Sequence, residues 1–299
     1  MHDPELEQLL VALRAGGPDF NQPPEVARAG FDAMLATLPV ADDLEFDPLD
    51  LNGVTGLRCR PPGGLDKRAL LYLHGGAYVV GTSQGYRGLA AELARAARAT
   101  AFAIDYRLAP EHPFPAAVDD TVAAYRGLLD QGFSPSGIAI AGDSAGGGLT
   151  VAALVALRDA GLPMPAAALT LSPWVDLGCT GGTITSKAAV DPSLTGEALH
   201  AMAAHYLQKA PADTALASPL HADLSGLPPL LIQVGSSEIL LDDAVRLAGA
   251  AGAAGVATRL DVWPEMVHVW HAFAFMLTAG RRAIADAGAF LDSHFGEVK

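Results

Sequence analysis

A serine flanked by glycines is the first feature of this sequence that suggests chemistry. The residues Gly142-Asp143-Ser144-Ala145-Gly146 follow a short apolar run and precede an alanine-rich helical stretch. In a G-x-S-x-G turn between a strand and a helix, the serine sits on a strained backbone with its hydroxyl exposed at the edge of a sheet. The glycines are needed because side chains at their positions would collide. Ser144 is therefore predicted to be a nucleophile.

A serine hydroxyl is a weak nucleophile at neutral pH, so this chemistry also requires a base. His268 lies in the loop after the last strand-like run, where a chain with this order of elements places the histidine of a Ser, acid, His series. His271, further along the same loop, is the main rival and is more readily interpreted as a structural histidine. His268 is therefore the predicted base.

The base must itself be oriented by an acid, which is expected after the penultimate strand-like run. Three carboxylates follow that run: Glu238, Asp242 and Asp243. Asp242 and Asp243 fall where a helix begins, and carboxylates there commonly cap the helix or interact with its dipole. Glu238 lies closest to the strand end and is the preferred candidate.

A second glycine turn is suited to stabilising the negative charge that develops during acyl transfer. The residues His74-Gly75-Gly76-Ala77 follow another apolar run, and such a turn leaves backbone N–H groups free to point at an anion. Acyl transfer needs fixed donors of this kind for the oxyanion. The predicted donors are the N–H groups of Gly75, Gly76 and Ala77, together with that of Ala145 at the start of the helix after the nucleophile.

The elements that must position these residues alternate along the chain. Two amphipathic helical patterns come first, and their apolar residues are Leu6, Leu9, Leu10 and Leu13, then Phe31, Met34, Leu35 and Leu38. Strands are predicted near 44–46, 54–60, 69–73, 101–105, 138–141, 166–171, 229–234 and 256–262. Helices are predicted near 86–98, 117–130, 145–160, 241–254 and 281–294. This alternation predicts a doubly wound α/β fold with a mostly parallel sheet of about eight strands and helices on both faces.

A long segment interrupts the alternation between the sixth and seventh predicted strands. Connections of this length are rarely structureless. Thr195 can cap a helix within it, and the apolar residues of that helix are Leu199, Met202 and Tyr206. The segment is therefore expected to add helices over one end of the sheet.

Composition narrows the class of protein. A net charge of −14 with 19 Lys and Arg residues disfavours a nucleic-acid partner. No window approaches the uninterrupted apolar length of a membrane span, and the acidic start of the chain lacks the features of a secretory signal, so a cytoplasmic location is expected. Cys59 and Cys179 lack metal-ligand spacing and are predicted to be buried without a disulfide.

With these residues in place, the chain resembles the bacterial hormone-sensitive-lipase-type esterases, whose nucleophile turn reads G-D-S-A-G. The stretches that carry the resemblance are L-Y-L-H-G-G-A-Y (71–78), D-Y-R-L-A-P-E-H-P-F-P-A (105–116), G-D-S-A-G-G (142–147), L-S-P-W-V-D-L (171–177) and the segment around His268. The resemblance implies an α/β-hydrolase fold with a helical cap. It also implies hydrolysis of short to medium acyl esters by Ser144, His268 and Glu238 without a cofactor. On this basis residues 1–45 are expected to form N-terminal cap helices, and 46–299 a catalytic domain with a cap insertion near 178–215.

Two residues depart from the family pattern. The third glycine of H-G-G-G is Ala77 here, a change that narrows the oxyanion pocket or alters which N–H groups donate. The usual acid is Asp, whereas Glu238 is one methylene longer, so its loop is expected to recede slightly to keep the bond to His268.

The resemblance also suggests supporting residues. A buried polar support beneath the site is expected from Asp105, Tyr106, Arg107 and Glu111. Asp143, beside the nucleophile, is interpreted as a supporting or substrate-binding residue. Tyr78 and Trp174 are candidates for the wall of the substrate pocket, although buried aromatic residues are as often part of the core.

Other functions remain open from the sequence. The same residues could cleave an amide or a lactone, since the shape of the pocket decides the leaving group. The gibberellin receptors share the fold but bind a small ligand without hydrolysis and lack the catalytic histidine, so the presence of His268 favours an enzyme. The expected partner is a small-molecule ester, with no metal and no cofactor. A homodimer, common in the family, is an open prediction.

Overall fold

The computed structural model describes residues 3–296; Met1, His2 and residues 297–299, which the predicted domain ranges include, lie outside the described residues. The strands are β1 (Asp47–Leu51), β2 (Val54–Cys59), β3 (Ala69–Leu73), β4 (Thr100–Ile104), β5 (Ile138–Asp143), β6 (Ala167–Leu171), β7 (Leu230–Gly235) and β8 (Thr258–Trp263). The helices are α1 (Pro4–Ala15), α2 (Pro24–Leu35), α3 (Ser83–Ala96), α4 (Ala116–Asp130), α5 (Ala145–Asp159), α6 (Thr183–Ser186), α7 (Gly196–Leu207), α8 (Leu241–Ala253) and α9 (Thr278–His294).

The strands form one sheet in the order β1-β2-β4-β3-β5-β6-β7-β8. The β1–β2 and β2–β4 pairs are antiparallel. All other neighbouring strands, β3 to β8, pair in parallel. The predicted mostly parallel sheet of about eight strands is therefore confirmed. Its order places the carboxyl ends of β3, β5, β6, β7 and β8 side by side along one edge, and the loops that leave this edge carry the candidate site residues.

Helices cover both faces of this sheet. Every residue of β3 to β7 is buried, although successive residues of a strand point to opposite faces. Full burial on both sides explains why these strands are continuous apolar runs in the sequence. α3 packs beside α9, and α4 packs beside α5.

The first strand is displaced from its predicted position. We expected it at 44–46, but β1 begins at Asp47 and pairs with β2 through the turn at Asn52 and Gly53. Both turn residues have positive φ, of 54° and 87°, as an Asn-Gly hairpin turn requires. β1 lies at the edge of the sheet and is mostly exposed, so its sequence, D-P-L-D-L, carries little apolar signal.

The N-terminal helices pack in two places. Leu6 and Leu9 of α1 join a small apolar cluster with Trp270 and Leu277, near the start of α9. α2 contributes Phe31 and other apolar residues to the main core. None of the helices within 3–296 combines the length and apolar character needed to cross a bilayer.

The long connection between β6 and β7 contains α6 and α7, as predicted. Thr195 caps α7, and its hydroxyl accepts a 3.2 Å hydrogen bond from the N–H of Ala198. The predicted apolar residues of this helix, Leu199, Met202 and Tyr206, are buried. Cys59 and Cys179 are both buried and unbridged, which confirms that prediction.

Candidate active site

Ser144 lies at the junction of β5 and α5 with φ at 52°, a left-handed backbone conformation. Its N–H donates a 2.8 Å hydrogen bond to the carbonyl of Leu171, which ties the turn to the end of β6. A Cβ at Gly142 would overlap the carbonyl of Gly146, and a Cβ at Gly146 would overlap that of Leu73. The turn therefore requires both glycines, as the sequence predicted.

The structure brings Glu238 to His268. Oε2 of Glu238 lies 2.8 Å from Nδ1 of His268, and the carboxylate is completely buried. Its other oxygen, Oε1, accepts hydrogen bonds from the hydroxyl of Ser172 at 2.7 Å and the N–H of Gly235 at 2.6 Å. Burial lowers the pKa of His268, but the hydrogen bond and charge of Glu238 outweigh it and raise that pKa above its ordinary value.

The alternative acids lie elsewhere. Asp243 accepts hydrogen bonds from the N–H groups of Val175 and Asp176, and burial raises its pKa to about 7. Asp242 accepts from the N–H of Thr183. Both carboxylates therefore serve backbone groups of the connection after β6 and do not orient His268.

The rival histidine is part of the core. His271 is 1% exposed, and its Nε2 lies 2.9 Å from Oε1 of Gln233 on β7. Burial, with a smaller contribution from the nearby charge of His268, lowers the pKa of His271 to about 3, which keeps the ring neutral. A neutral ring bonded to a core amide fits the structural interpretation made from the sequence.

The glycine turn after β3 supplies fewer free donors than predicted. The N–H of Gly75 donates a 2.9 Å hydrogen bond to Oδ1 of Asp143 and is not available to a ligand. Gly76 and Ala77 have positive φ, and no acceptor within residues 3–296 bonds to their N–H groups or to that of Ala145. Three of the four predicted oxyanion donors are therefore free, since the N–H of Gly75 is bonded to the buried carboxylate of Asp143.

Asp143 holds the glycine turn from below. It is completely buried, and its Oδ1 also accepts a 2.6 Å hydrogen bond from the hydroxyl of Tyr72 on β3. Burial raises the pKa of Asp143 to about 6, opposed by these hydrogen bonds. The bonds of Oδ1 to Tyr72 and Gly75 fit a supporting role. Asp143 also borders the cavity that Ser144 lines, so a substrate-binding role stays a prediction.

A cavity of about 140 Å³ opens at the carboxyl edge of the sheet. Ser144, His268, Gly76 and Ala77 line its floor. Its apolar wall, which comes from the N-terminal helices and the connection after β6, includes Phe31, Met34, Leu199 and Met202. No hydrogen bond joins the Ser144 hydroxyl to His268 among the described residues, and such contacts often shorten only when substrate binds.

Known proteins share this fold and sequence. A family model described as the alpha/beta hydrolase fold matches residues 70–272. An acetyl-hydrolase of Streptomyces hygroscopicus is 54% identical over 301 residues, 99% of each chain. The crystal structure of an esterase from the bacterial hormone-sensitive lipase family matches with a TM-score of 0.95 at 48% identity, covering 99% of this chain and 100% of that one. This chain is a hormone-sensitive-lipase-type esterase.

Another solved structure matches this serine ester hydrolase almost as well. EstE5, in a crystal soaked with p-nitrophenyl butyrate, has a TM-score of 0.94 and 47% identity, over 98% of this chain and 99% of EstE5. The resemblance stated from the G-D-S-A-G turn and the other motifs is therefore confirmed, as is the α/β-hydrolase fold.

Two predicted pocket residues of the esterase lie in its core. Tyr78 is 1% exposed and stacks on Tyr206 with ring centroids 3.9 Å apart, while Trp174 is completely buried and donates its indole N–H to the carbonyl of Asp176. Neither lines the cavity at Ser144. The structure therefore favours the core interpretation, because Tyr78 packs against both Trp174 and Tyr206 inside the core.

The segment after β4 is only partly the buried support that we expected. Tyr106 is buried, and its hydroxyl donates a 2.7 Å hydrogen bond to the carbonyl of His74. Asp105, Arg107 and Glu111 are exposed, which corrects the prediction. Asp105 and Arg107 nevertheless bond to buried partners, because Asp105 accepts from Ser83 and Arg107 pairs with Asp120.

Sequence reasoning missed the partner of Glu111. The guanidinium of Arg28, on α2, forms two hydrogen bonds of 2.8 and 2.6 Å with Glu111 and also donates to the carbonyls of Val79 and Ala109 at 2.8 Å. This pairing lowers the pKa of Glu111 to about 2. Arg28 thereby attaches α2 to the loops after β3 and β4, a long-range contact that has no local sequence signal.

Proposed function

We propose that this esterase hydrolyses short to medium acyl-chain esters through a triad of Ser144, His268 and Glu238. The observation that supports it best is the 2.8 Å contact between buried Glu238 and Nδ1 of His268, on the same cavity that Ser144 lines. Nδ1 carries the hydrogen of this bond, so Nε2 has a free lone pair. That tautomer is the one a general base requires.

The reaction has two halves. His268 removes the Ser144 proton as the serine oxygen bonds to the ester carbonyl carbon, and it then protonates the departing alcohol as the ester C–O bond breaks. His268 next removes a proton from water, which attacks the acyl-enzyme, and the proton returns to Ser144 as the carboxylic acid leaves. Glu238 stabilises the imidazolium in both halves without taking the proton.

The oxyanion of each tetrahedral intermediate binds to three backbone N–H groups, those of Gly76, Ala77 and Ala145. Their free state in the structure supports this role, and Ala145 adds the positive end of the α5 dipole. Asp143 maintains the turn by holding the N–H of Gly75. Ala77, which stands where the family has glycine, has φ at 53° and keeps a free N–H.

The size of the cavity favours a small acyl group. Its volume of about 140 Å³ is close to that of an engineered apolar cavity, about 150 Å³, that binds benzene. An acyl chain of a few carbons fits such a space. The acetyl-hydrolase relative, and the butyrate ester soaked into crystals of EstE5, support substrates in this range.

A cap covers the cavity. We assign residues 1–45 to its N-terminal helices and 178–215 to its second part, while the remainder of 46–299 forms the catalytic domain. The support for this division is the cavity wall, because Phe31 of α2 and Met202 of α7 line the same cavity as Ser144.

Substitution of the nucleophile tests this function. Ser144→Ala should reduce turnover of p-nitrophenyl butanoate by at least about 10⁴-fold with an unchanged circular dichroism spectrum. Ser193→Ala is a matched control, since Ser193 is a second serine on the same cavity wall. It should retain at least about a tenth of the wild-type rate. Loss of turnover in Ser193→Ala, or its survival in Ser144→Ala, would overturn the assignment.

A further inference from the structure

The chain at the end of β6 bonds to the three segments that carry the proposed catalytic residues. The carbonyl of Leu171 accepts from the N–H of Ser144 at 2.8 Å. The next residue, Ser172, reaches the other two parts with its hydroxyl: Oγ lies 2.7 Å from Oε1 of Glu238 and 3.1 Å from the N–H of Val269. Ser172 is completely buried, so no water competes for these bonds.

The chemistry of the three partners fixes the direction of both hydrogen bonds. A hydroxyl has one hydrogen to donate and lone pairs to accept. The ionised carboxylate of Glu238 only accepts, and the N–H of Val269 only donates. Ser172 therefore gives its proton to Glu238 and accepts from Val269, which leaves the hydroxyl without rotational freedom.

Both partners of Ser172 need an external restraint. Val269 has φ at 50°, an uncommon conformation for a β-branched residue, and it directly follows His268. Glu238 has one more rotatable bond than the aspartate usual in this family. Its Oε1 is held at two points, by Ser172 and by the N–H of Gly235 at 2.6 Å, which directs Oε2 to the imidazole.

We propose that Ser172 is a positioning residue of this esterase: its single hydroxyl sets the carboxylate plane of Glu238 and the backbone that carries His268 at the same time. The proposal rests on the triad proposed above. Ser172 does not touch the substrate, so its effect on turnover acts through Glu238 and His268. It provides a physical reason why a glutamate can serve where an aspartate is usual.

Removal of the hydroxyl in two backgrounds tests this role. Ser172→Gly suits the left-handed φ of 47°, and Ser172→Ala provides a second variant that keeps the Cβ. In the otherwise wild-type esterase, each should lower kcat for p-nitrophenyl butanoate by about tenfold to a hundredfold and change KM less than about threefold. In a Glu238→Gln background the same substitutions should lower kcat by a clearly smaller factor, because the carboxylate is gone and only the bond to the N–H of Val269 is left to lose.

Thr170→Val is the matched control. Thr170 lies on β6, two residues before Ser172; it is completely buried, and its hydroxyl has no hydrogen-bond partner within residues 3–296. The kcat of Thr170→Val should stay within about twofold of wild type. A purely structural role of Ser172 would predict equal losses of kcat in both backgrounds, and that result, or an unchanged kcat in Ser172→Gly and Ser172→Ala, overturns the proposal. Wild-type activity in Glu238→Gln would instead refute the triad itself.

Discussion

Glu238 places one carboxylate oxygen 2.8 Å from Nδ1 of His268 while its other oxygen is bonded to Ser172 and Gly235. Glu238 is completely buried, and His268 lines the same cavity as Ser144. An imidazole held in this way has a fixed tautomer and a fixed orientation.

The pH dependence of activity should reflect the raised pKa of His268. Only the neutral imidazole can act as a base, and a raised pKa keeps it protonated to higher pH. Activity should therefore be lost on acidification with a midpoint above 6.5, the ordinary histidine value. The measurement is kcat/KM for p-nitrophenyl butanoate from pH 5 to 9. A midpoint below 6.5 would contradict the pairing with Glu238.

Substitution of the acid should distinguish Glu238 from its rivals. Glu238→Gln should lower kcat at pH 7 by about 10²- to 10⁴-fold, because the imidazolium loses its stabilising charge. Asp242→Asn should keep kcat within about threefold of wild type, since this carboxylate bonds to Thr183 and not to His268. Steady-state kinetics of the two variants provide the comparison. If only Asp242→Asn loses activity, Glu238 is not the acid.

The oxyanion turn should not accept a side chain at Gly76. Its φ is 117°, and a Cβ there would overlap the carbonyl of Val80. Gly76→Ala should displace the N–H donors and lower kcat by about 10²-fold or more. Ala77→Gly, the family residue at the adjacent position, should leave kcat within about threefold. Equal effects of the two substitutions would contradict this assignment of the donors.

The acyl-chain limit should depend on Leu38. A second cavity of about 540 Å³ lies next to the first, and Leu38, Tyr86 and Ala272 line both. Leu38→Ala should open the wall between them and raise the ratio of kcat/KM for octanoate over butanoate esters by about fivefold or more. Val40→Ala, which affects only the second cavity, is the control. An unchanged ratio in Leu38→Ala would show that this wall does not limit chain length.

Arg28 should stabilise the attachment of α2. Arg28→Met removes four hydrogen bonds, two of them to backbone carbonyls, and should cost about 1–2 kcal/mol in urea unfolding after allowance for the exposure of Glu111. Arg28→Lys should not restore the lost free energy of unfolding, because an ammonium group lacks the planar set of donors that a guanidinium presents. The lowered pKa of Glu111 makes the part of this contribution that comes from the Glu111 pair complete above pH 4.5 and progressively lost as the pH falls towards 2, while the bonds to the two carbonyls persist. Equal stability of wild type and Arg28→Met at pH 7 would contradict this role.

Local sequence signals accounted for the sheet, most helices and the nucleophile turn. Apolar runs identify buried parallel strands. The glycines at 142 and 146 mark positions where any side chain would collide with the backbone. The first strand was misplaced because an exposed edge strand has little apolar signal. The Asn-Gly pair at 52–53 was the available clue to it.

Contacts between distant segments were harder to predict. The bond between Asp143 and Gly75, which removes one oxyanion donor, depends on the pairing of β3 with β5. The contacts of Arg28 and Ser172 likewise form only when α2 and the loops that follow different strands come together. Burial of Tyr78 and Trp174 could not be distinguished from pocket lining by residue type alone. The cytoplasmic location and the homodimer stay predictions.

Covalent labelling of the nucleophile tests the central claim most directly. The esterase would be treated with a p-nitrophenyl alkylphosphonate, which leaves a stable analogue of the tetrahedral intermediate on an activated serine. We predict one phosphonyl group per chain by intact mass spectrometry, with peptide mapping to Ser144 and complete loss of p-nitrophenyl butanoate hydrolysis. An unlabelled Ser144 in protein that still hydrolyses the ester, or a label on another residue that abolishes activity, would contradict the account.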